Sequence, residues 1–211
     1  GYTGLLREGM FGEVNLEQED ALKKIASQSK ALSSIVNQVL RTTQIECGSI
    51  KAEIDNVNLC VLFDDLKMLS DTPTSNGLKI NWDYPSDLPA VRTDSEKLTQ
   101  VLQALIDNAI KFTDYGQVVI SARYLAQAKV VKLRVADTGA GIDKESLPYM
   151  FDMFRQADSS DTRPHGGVGL GLYIAKKYLE MIGGRLKRVP PRSNTAGRKM
   201  FEDEYAEAFD E

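Results

Sequence analysis

Two dense glycine clusters carry the strongest chemical signal in this sequence. The first reads Asp137-Thr138-Gly139-Ala140-Gly141 and the second reads Gly166-Gly167-Val168-Gly169-Leu170-Gly171. Because glycine lets a ligand approach the main chain closely, the pair indicates a nucleotide held largely by backbone groups. The second cluster runs into an amphipathic pattern, Leu172 to Ile182, which predicts a helix that offers its first N–H groups to phosphate. Neither a P-loop nor a dinucleotide fingerprint fits, since the Gly-Lys-Ser/Thr ending and a leading parallel strand are both missing.

Asp137 ends an apolar run, Val130 to Ala136, that predicts a buried strand. A carboxylate in this position is an acceptor-only group aimed into a cleft, and it could accept a hydrogen bond from the exocyclic amine of adenine. The alternative is an aspartate that only stabilises a turn before glycines. That alternative does not account for Gly141 or for the second cluster.

A helix that begins after Asp94 carries three further candidates. Asp94 is a good N-cap, and a broad apolar face follows it. Asn108, Lys111 and Phe112 are three and four residues apart, so they share an adjoining face. An amide, a cation and an aromatic ring there could meet a metal ion, a phosphate and a base. A solvated polar stripe is the alternative for this helix taken alone.

The rest of the chain predicts the elements that position these residues. Strands are expected at Ile50 to Ile54, Leu78 to Trp82, Ala90 to Arg92 and Gln117 to Tyr124, with a helix at Leu59 to Ser70. The polar segment from Phe151 to His165 is expected to be a mobile lid, or else an ordinary surface loop. Composition shifts near residue 50, which predicts domains at 1–49 and 50–190 and an acidic tail at 191–211.

The N-terminal part predicts a long helix from Leu16, with a short helix before it that ends at Gly9. Apolar and small residues recur at spacings of three and four from Leu22 to Thr43, which is the a/d repeat of helices packed nearly parallel. One hairpin offers too few partners for this face, so a homodimeric bundle is expected. A contact with the next domain is the alternative.

Composition excludes several classes of function. The 211 residues include 26 Lys and Arg against 30 Asp and Glu, so neither nucleic-acid binding nor contact with an anionic membrane is expected. No run approaches membrane-spanning length, and the two cysteines, Cys47 and Cys60, read as reduced thiols. We therefore expect a cytoplasmic piece of a longer protein, whose remaining sequence could still carry a membrane anchor.

These stretches together resemble the catalytic half of sensor histidine kinases, within the wider ATPase superfamily that includes gyrase B subunits and MutL proteins. Four family boxes match in order and spacing over roughly residues 50 to 190. They are an N box from Glu96 to Thr113, a first glycine box from Asp137 to Gly141, an F box from Phe151 to Phe154, and a second glycine box from Gly167 to Gly171. The resemblance implies an α+β fold, with a mixed sheet that carries helices on one face.

The resemblance also implies a role for each matching residue, with ATP and Mg2+ as ligands. Asn108 would bind the magnesium ion, Lys111 would contact phosphate, and Phe112 would line the nucleoside side of the pocket. Asp137 would accept from the adenine amine. The remaining nucleotide-binding positions are glycines that shape the pocket or free the end of the lid, together with one leucine: Gly139, Gly141, Gly167, Gly169, Leu170 and Gly171.

The helical hairpin is similar to the dimerisation and phosphoacceptor bundle of the same kinases. Its first residues match the part after the phosphoacceptor histidine, so the protein would transfer phosphate from ATP to a histidine upstream of this chain and then to a response regulator. The single histidine, His165, falls at the end of the lid. We expect this chain to bind Mg-ATP without phosphorylating itself.

Several positions depart from the family pattern. Ala104 stands where an asparagine is common, Val168 replaces a frequent threonine, and Gln156 lies where many members carry an arginine. These losses leave open a pseudokinase that serves as a dimeric, nucleotide-gated scaffold. An ATP-hydrolysing relative of gyrase or MutL is disfavoured by Ala104, because that group places a water-activating glutamate one turn before the asparagine. The acidic tail does not resemble the usual end of this fold. Three alternatives stay open for the last strand: it is missing, it is displaced, or it is formed by Lys199 to Tyr205.

Overall fold

The computed structural model describes residues 1–70, 77–143, 145–155, 168–189 and 204–210, with the backbone alone for 188–189 and 204–210. The chain divides into two compact units, Gly1–Cys47 and Gly48–Glu211. No helix in the described ranges combines the length and the apolar character needed to cross a membrane.

The first unit is the expected helical hairpin, α1 (Tyr2–Arg7) and α2 (Leu16–Glu46). Gly9 and Gly12 form the turn between the helices with positive φ angles of 75° and 112°. Asn15 caps α2, because its side chain accepts from the Gln18 backbone and the Gln18 side chain accepts from the Asn15 backbone. The helix ends at Cys47, followed by Gly48 with φ 64°.

The second unit is a mixed sheet with helices. Its elements in the described ranges are β1 (Asp55–Val57), α3 (Leu59–Ser70), β2 (Lys79–Asp83), β3 (Val91–Thr93), α4 (Ser95–Phe112), β4 (Gln117–Leu125), β5 (Val130–Asp137), a 3-10 helix (Leu147–Tyr149), α5 (Gly171–Met181), β6 (Lys187–Val189) and β7 (Glu204–Asp210). The main sheet has the order β2-β4-β5-β7-β6. β2 and β4 are parallel, and the other neighbours are antiparallel. β1 and β3 form a separate antiparallel pair.

The core of this unit lies between the sheet and its helices. Alternate residues of β4 and β5 are buried, and α4 packs against both strands and against α5. This period of two places every second side chain on one face of the sheet. The buried residues of the two strands are Val118, Ile120, Ala122, Val131, Leu133 and Val135, together with Ala136 near the end of β5. The predicted α+β fold, a mixed sheet with helices on one face, is confirmed.

The strand expected from Ile50 to Ile54 is wrong. Ladder pairing in this region covers Asp55 to Val57 alone, opposite Val91 to Thr93 of β3. β3 cannot extend the ladder further, because the next residue, Asp94, caps α4. The Asp94 carboxylate accepts a hydrogen bond from the Glu53 backbone N–H at 2.8 Å. A side chain, and not a neighbouring strand, therefore holds the segment that was expected to form a strand.

The last strand of the sheet is β7, within the segment predicted as an acidic tail. It pairs with β5 over Val130 to Val135 and with β6 on its other side. The position considered for it, Lys199 to Tyr205, overlaps the observed strand only at Glu204 and Tyr205. On the side away from β4, the backbone N–H and C=O groups of β5 need hydrogen-bond partners, and β7 supplies them.

Candidate nucleotide-binding site

The helix α4 is fixed at its start by a buried ion pair. Asp94 accepts from the Lys97 backbone at 2.9 Å and from Lys97 Nζ at 2.6 Å. Burial opposes the charged carboxylate, but the hydrogen bonds from Lys97 and from the Glu53 backbone outweigh it and hold the pKa of Asp94 below its usual value. The lysine that occupies the capping-box position therefore pairs with the cap itself, and it sets where α4 begins.

The last turns of α4 carry Asn108, Lys111 and Phe112. Asn108 is half-buried, and its amide makes no hydrogen bond to any described residue. Lys111 lies with Nζ 5.0 Å from the centre of the Phe112 ring, and burial lowers the pKa of its ammonium. Within the described part of the chain no carboxylate pairs with Lys111. A partly desolvated cation without a counter-ion is a candidate anion site.

Asp137 is the last residue of β5 and is half-buried. Its Oδ1 accepts a hydrogen bond from the Gly139 backbone at 2.8 Å and one from the Thr113 hydroxyl at 3.5 Å. Thr113 is the residue that ends α4. The carboxylate expected to read the base is therefore held against the end of the helix that carries the other candidates.

The first glycine cluster packs directly on the same helix end. Ala140 donates its backbone N–H to the Phe112 carbonyl at 3.3 Å. A Cβ on Gly139 would overlap the Phe112 carbonyl oxygen and lie 2.9 Å from Asp137 Oδ1. Gly141 has φ 70°, in the left-handed region. A glycine is needed at 139 because the backbone there lies against the Phe112 carbonyl. A glycine is needed at 141 because φ is in the left-handed region.

A second set of contacts joins the cluster to β4. The Thr138 hydroxyl accepts from the Gln117 backbone at 3.0 Å, and the Thr138 backbone N–H donates to the Gln117 carbonyl at 3.1 Å. Gly116 has φ 115°, and a Cβ there would overlap Thr138 Oγ1. The turn from 137 to 141 is thus fixed on two sides, by α4 and by the start of β4.

Thr113 and Thr138 were not among the predicted site residues. Both side chains bond to residues more than twenty positions away in sequence, so no local pattern reveals their partners. The one available signal was their position, since Thr113 ends the N box and Thr138 lies inside the first glycine box.

The second glycine cluster leads into α5. Gly169 has φ 73°, and a Cβ there would lie 2.5 Å from the Arg155 carbonyl oxygen. Leu170 is fully buried and precedes the first helical residue, Gly171, at which a Cβ would meet open space. Gly169 therefore lets the chain before α5 pack against the F-box end, whereas packing alone does not require a glycine at 171.

The F box and the lid are described only in part. Phe154 has φ 58° and is exposed, and the Arg155 guanidinium lies 5.3 Å from the centre of the Tyr149 ring. The rest of the predicted lid, with Gln156 and His165, lies outside the described residues, as does Gly167 of the second cluster.

The structure joins most of the predicted residues through α4. Phe112, Asp137 and Gly139 are in direct contact or one hydrogen bond apart. Asn108 and Lys111 lie within the last two turns of the same helix, and the helix begun by Gly171 packs against α4. The set offers an acceptor, a cation, a neutral amide and an aromatic ring within one region. These are the groups that a purine nucleotide with a metal-bound phosphate chain requires.

Comparison with known proteins identifies the family. The model described as "Histidine kinase-, DNA gyrase B-, and HSP90-like ATPase" matches residues 93–202, which is more than half of the chain. The chain belongs to this family, and the resemblance that the four boxes indicated is confirmed. ATP is therefore the nucleotide that this fold is built to bind.

Similar proteins narrow the class further. The signal transduction histidine-protein kinase BarA of Escherichia coli K12 is 34% identical over 189 residues, which are 87% of this chain and 21% of BarA. The sensor histidine kinase AruS of Pseudomonas aeruginosa is 33% identical over 211 residues, which are 98% of this chain and 21% of AruS. The chain spans about a fifth of the length of these curated relatives.

Solved structures agree on the fold. Full-length ShkA in complex with AMPPNP matches with a TM-score of 0.76 and 25% identity over 98% of this chain and 42% of ShkA. The histidine kinase AdeS of Acinetobacter baumannii matches with a TM-score of 0.69 and 20% identity over 98% of this chain and 91% of that one. The second likeness supports the fold alone.

Proposed function

We propose that this chain is the ATP-binding catalytic portion of a two-component sensor histidine kinase. The whole protein transfers the γ-phosphate of ATP to a histidine and then to an aspartate of a response regulator. The observation that carries the proposal is the hydrogen bond that joins Asp137 to Thr113 at the end of α4. Thr113 lies two residues after Lys111, whose ammonium has no carboxylate partner among the described residues. An acceptor for a base amine and a cation for phosphate lie on one short stretch of structure.

The base end of the site is assigned to Asp137 and Phe112. The carboxylate of Asp137 accepts from the 6-amino group of adenine, and the half-exposed ring of Phe112 lines the nucleoside side. Gly139 and Gly141 keep the turn thin enough for the base to approach. A base that lacks an amine at the 6-position, including one that carries a carbonyl there, cannot donate this hydrogen bond.

The phosphate end is assigned to Lys111, Asn108 and the second glycine cluster. Lys111 neutralises phosphate charge, and Gly169 and Leu170 lead into the α5 N-terminus at Gly171. Gly167, which lies outside the described residues, is assigned to the same nucleotide-binding set. The amide oxygen of Asn108 is suited to bind Mg2+, because this ion takes few protein ligands and fills its other coordination positions with water and phosphate oxygens. No group of three or more His, Cys, Asp or Glu side chains that could hold a metal ion occurs in the described ranges. Bound there, the ion would neutralise the charge of the phosphate chain.

Calorimetric titration with AMPPNP and Mg2+ tests the binding site. We expect the wild-type chain to bind, and Asp137→Asn to bind at least about tenfold more weakly, because the amide presents a donor to the adenine amine. Asp83→Asn, at the end of the edge strand β2, is the matched control and should bind as the wild type does. No binding by the wild type at millimolar nucleotide would instead support the pseudokinase scaffold.

The phosphoryl acceptor is tested separately. The sequence holds one histidine, His165, and we propose that the phosphoacceptor histidine belongs to sequence outside these 211 residues. Incubation of this chain with γ-labelled ATP should therefore give no acid-labile label, whereas a longer protein that includes the phosphoacceptor histidine should become labelled. Acid-labile label on this chain would overturn the assignment.

We also propose that α2 forms a homodimeric bundle and that the response regulator docks on the complete kinase. The apolar residues of α2 at a/d spacing are largely exposed in the single chain, among them Ile25, Leu32, Val36 and Val39. A second copy of the same helix would cover them, as the a/d repeat requires. We place this part of the protein in the cytoplasm, where ATP and response regulators are found.

A further inference from the structure

The Thr113 hydroxyl is buried beside the carboxylate that is assigned to the base. Thr113 is 3% exposed, and its hydroxyl has one hydrogen-bond partner among the described residues, Oδ1 of Asp137 at 3.5 Å. A buried hydroxyl needs a partner, and a carboxylate is an acceptor only, so the hydroxyl must donate its proton to Asp137. The direction of this hydrogen bond is therefore fixed.

The backbone at Thr113 explains why its side chain points at the strand. Thr113 ends α4 with φ −117° and ψ 96°, an extended conformation in place of the usual left-handed glycine. A β-branched residue favours extended backbone and has few side-chain rotamers. The hydroxyl is consequently held in place by its own backbone, and only a small entropy loss accompanies the contact.

We propose that Thr113 is a positioning residue for base selection. Together with the Gly139 N–H, it places two donors on Oδ1 of Asp137, and two donors on one oxygen fix the rotation of the carboxylate. The direction in which the carboxylate can accept from an adenine amine is then set by the end of α4. This inference rests on the proposed ATP site, and it adds the residue that tunes its preference for adenine.

The neighbouring contacts make the effect local to the base. Phe112 accepts from Ala140, so the turn stays attached to α4 even when the threonine hydroxyl is removed. Lys111 lies in the last turn of α4 and Asn108 lies one turn earlier, and neither side chain has a bond to Thr113. Loss of the hydroxyl should therefore change recognition of the amine while leaving recognition of phosphate in place.

The test compares two nucleotides on three proteins by calorimetry with Mg2+. The nucleotides are ATP and purine riboside triphosphate, which lacks the 6-amino group. The proteins are wild type, Thr113→Val, which removes the hydroxyl and keeps the shape, and Thr113→Ser, which keeps the hydroxyl. We expect Thr113→Val to bind ATP about fivefold more weakly, the factor for about one hydrogen bond, and to bind the analogue within twofold of wild type. Thr113→Ser should retain the wild-type ratio of the two affinities.

The possible results separate the inference from the site it rests on. Equal weakening of both nucleotides by Thr113→Val, or no change in either, would overturn the positioning role while the wild-type preference for ATP still supported the site. Equal binding of both nucleotides by the wild type would show that Asp137 does not read the amine, and the role of Thr113 would fall with it. Should Thr113→Val unfold at the assay temperature, Thr113→Ala is measured in the same way and judged by the same ratio.

Discussion

The two long helices of this chain, α2 and α4, bury their apolar faces very differently. On α4 the residues of the apolar face are almost entirely hidden, with Ile106 at 0% exposure. On α2 most residues of the repeat are open to solvent, with Leu32 at 62% exposure, although Leu22 at its start is buried. Both patterns predicted a helix correctly, yet only one of the two faces is covered within a single chain.

The difference shows what an apolar period can and cannot reveal. Spacing of three and four determines which side of a helix becomes apolar, because that is a property of helix geometry. It does not say whether the covering surface comes from the same chain. For α4 the cover comes from α3, β4, β5 and α5, all within the same unit of the chain. For α2 we propose a second copy.

The largest effect is expected from a cavity under α4. Ile106→Ala removes a fully buried side chain from between the helix and the sheet, and it should lower the free energy of unfolding by about 4 kcal/mol. Urea unfolding followed by circular dichroism measures this. Met68→Ala on the exposed side of α3 is the control, with a change below about 0.5 kcal/mol. Similar losses for both variants would refute the contrast between covered and open faces.

The buried ion pair at the start of α4 comes next. Asp94→Asn leaves Lys97 buried without its counter-charge, which should lower the free energy of unfolding by about 3 kcal/mol at pH 7. The folded-state pKa of Asp94 is lowered, so its contribution is present above the unfolded pKa of about 4 and is lost as pH falls through the folded value.

The pH dependence of unfolding distinguishes this cause from a general packing defect. The wild type should lose stability steeply below about pH 4, and Asp94→Asn should show a shallower decline in the same range. Asp65→Asn, an exposed carboxylate on α3, should keep the wild-type profile. An Asp94→Asn profile parallel to that of the wild type would mean that the ion pair does not contribute in this way.

The proposed dimer face of α2 is tested by adding a charge. Leu32→Glu places a carboxylate in the middle of the exposed apolar repeat, and we expect the dimer dissociation constant to rise at least about thirtyfold, equal to about 2 kcal/mol. Sedimentation velocity over a range of concentrations gives this constant. Ser34→Glu lies two residues on, at the position furthest from the repeat, and should dimerise normally. A monomeric wild type at all concentrations would refute the dimer.

Local signals in the sequence were sufficient for most of the elements. The helix from Leu59 to Ser70 was predicted with the observed bounds, since apolar spacing and the following proline are both local. The strand expected at Ile50 to Ile54 was wrong because an alternation of apolar residues does not ensure a pairing partner. A last strand was predicted only as one alternative, at Lys199 to Tyr205, because its acidic segment has no strong pattern. What requires β7 is the side of the β5 backbone that faces away from β4.

The candidate site shows the same distinction between local signals and long-range contacts. Asn108, Lys111, Phe112 and Asp137 were predicted from chemical type and spacing, and the structure shows the last two held together at the end of α4. Their roles stay predictions until nucleotide binding is measured. Thr113 could not be predicted, because its partner Asp137 is distant in sequence and is reached only when β5 and α4 pack together.

The smallest expected effect lies at the start of α2, where the cap is exposed. Asn15 and Gln18 exchange two hydrogen bonds of 2.9 Å in a capping box, without the burial that surrounds Asp94. Asn15→Ala should therefore lower the free energy of unfolding by about 1 kcal/mol, roughly a third of the Asp94 effect. Thermal unfolding followed by circular dichroism measures the loss, and Asn15→Asp should retain most of the stability because the carboxylate also caps. If Asn15→Ala proved as severe as Asp94→Asn, exposure would not be what separates the two helix starts, and the contrast between α2 and α4 would have to rest on their apolar faces alone.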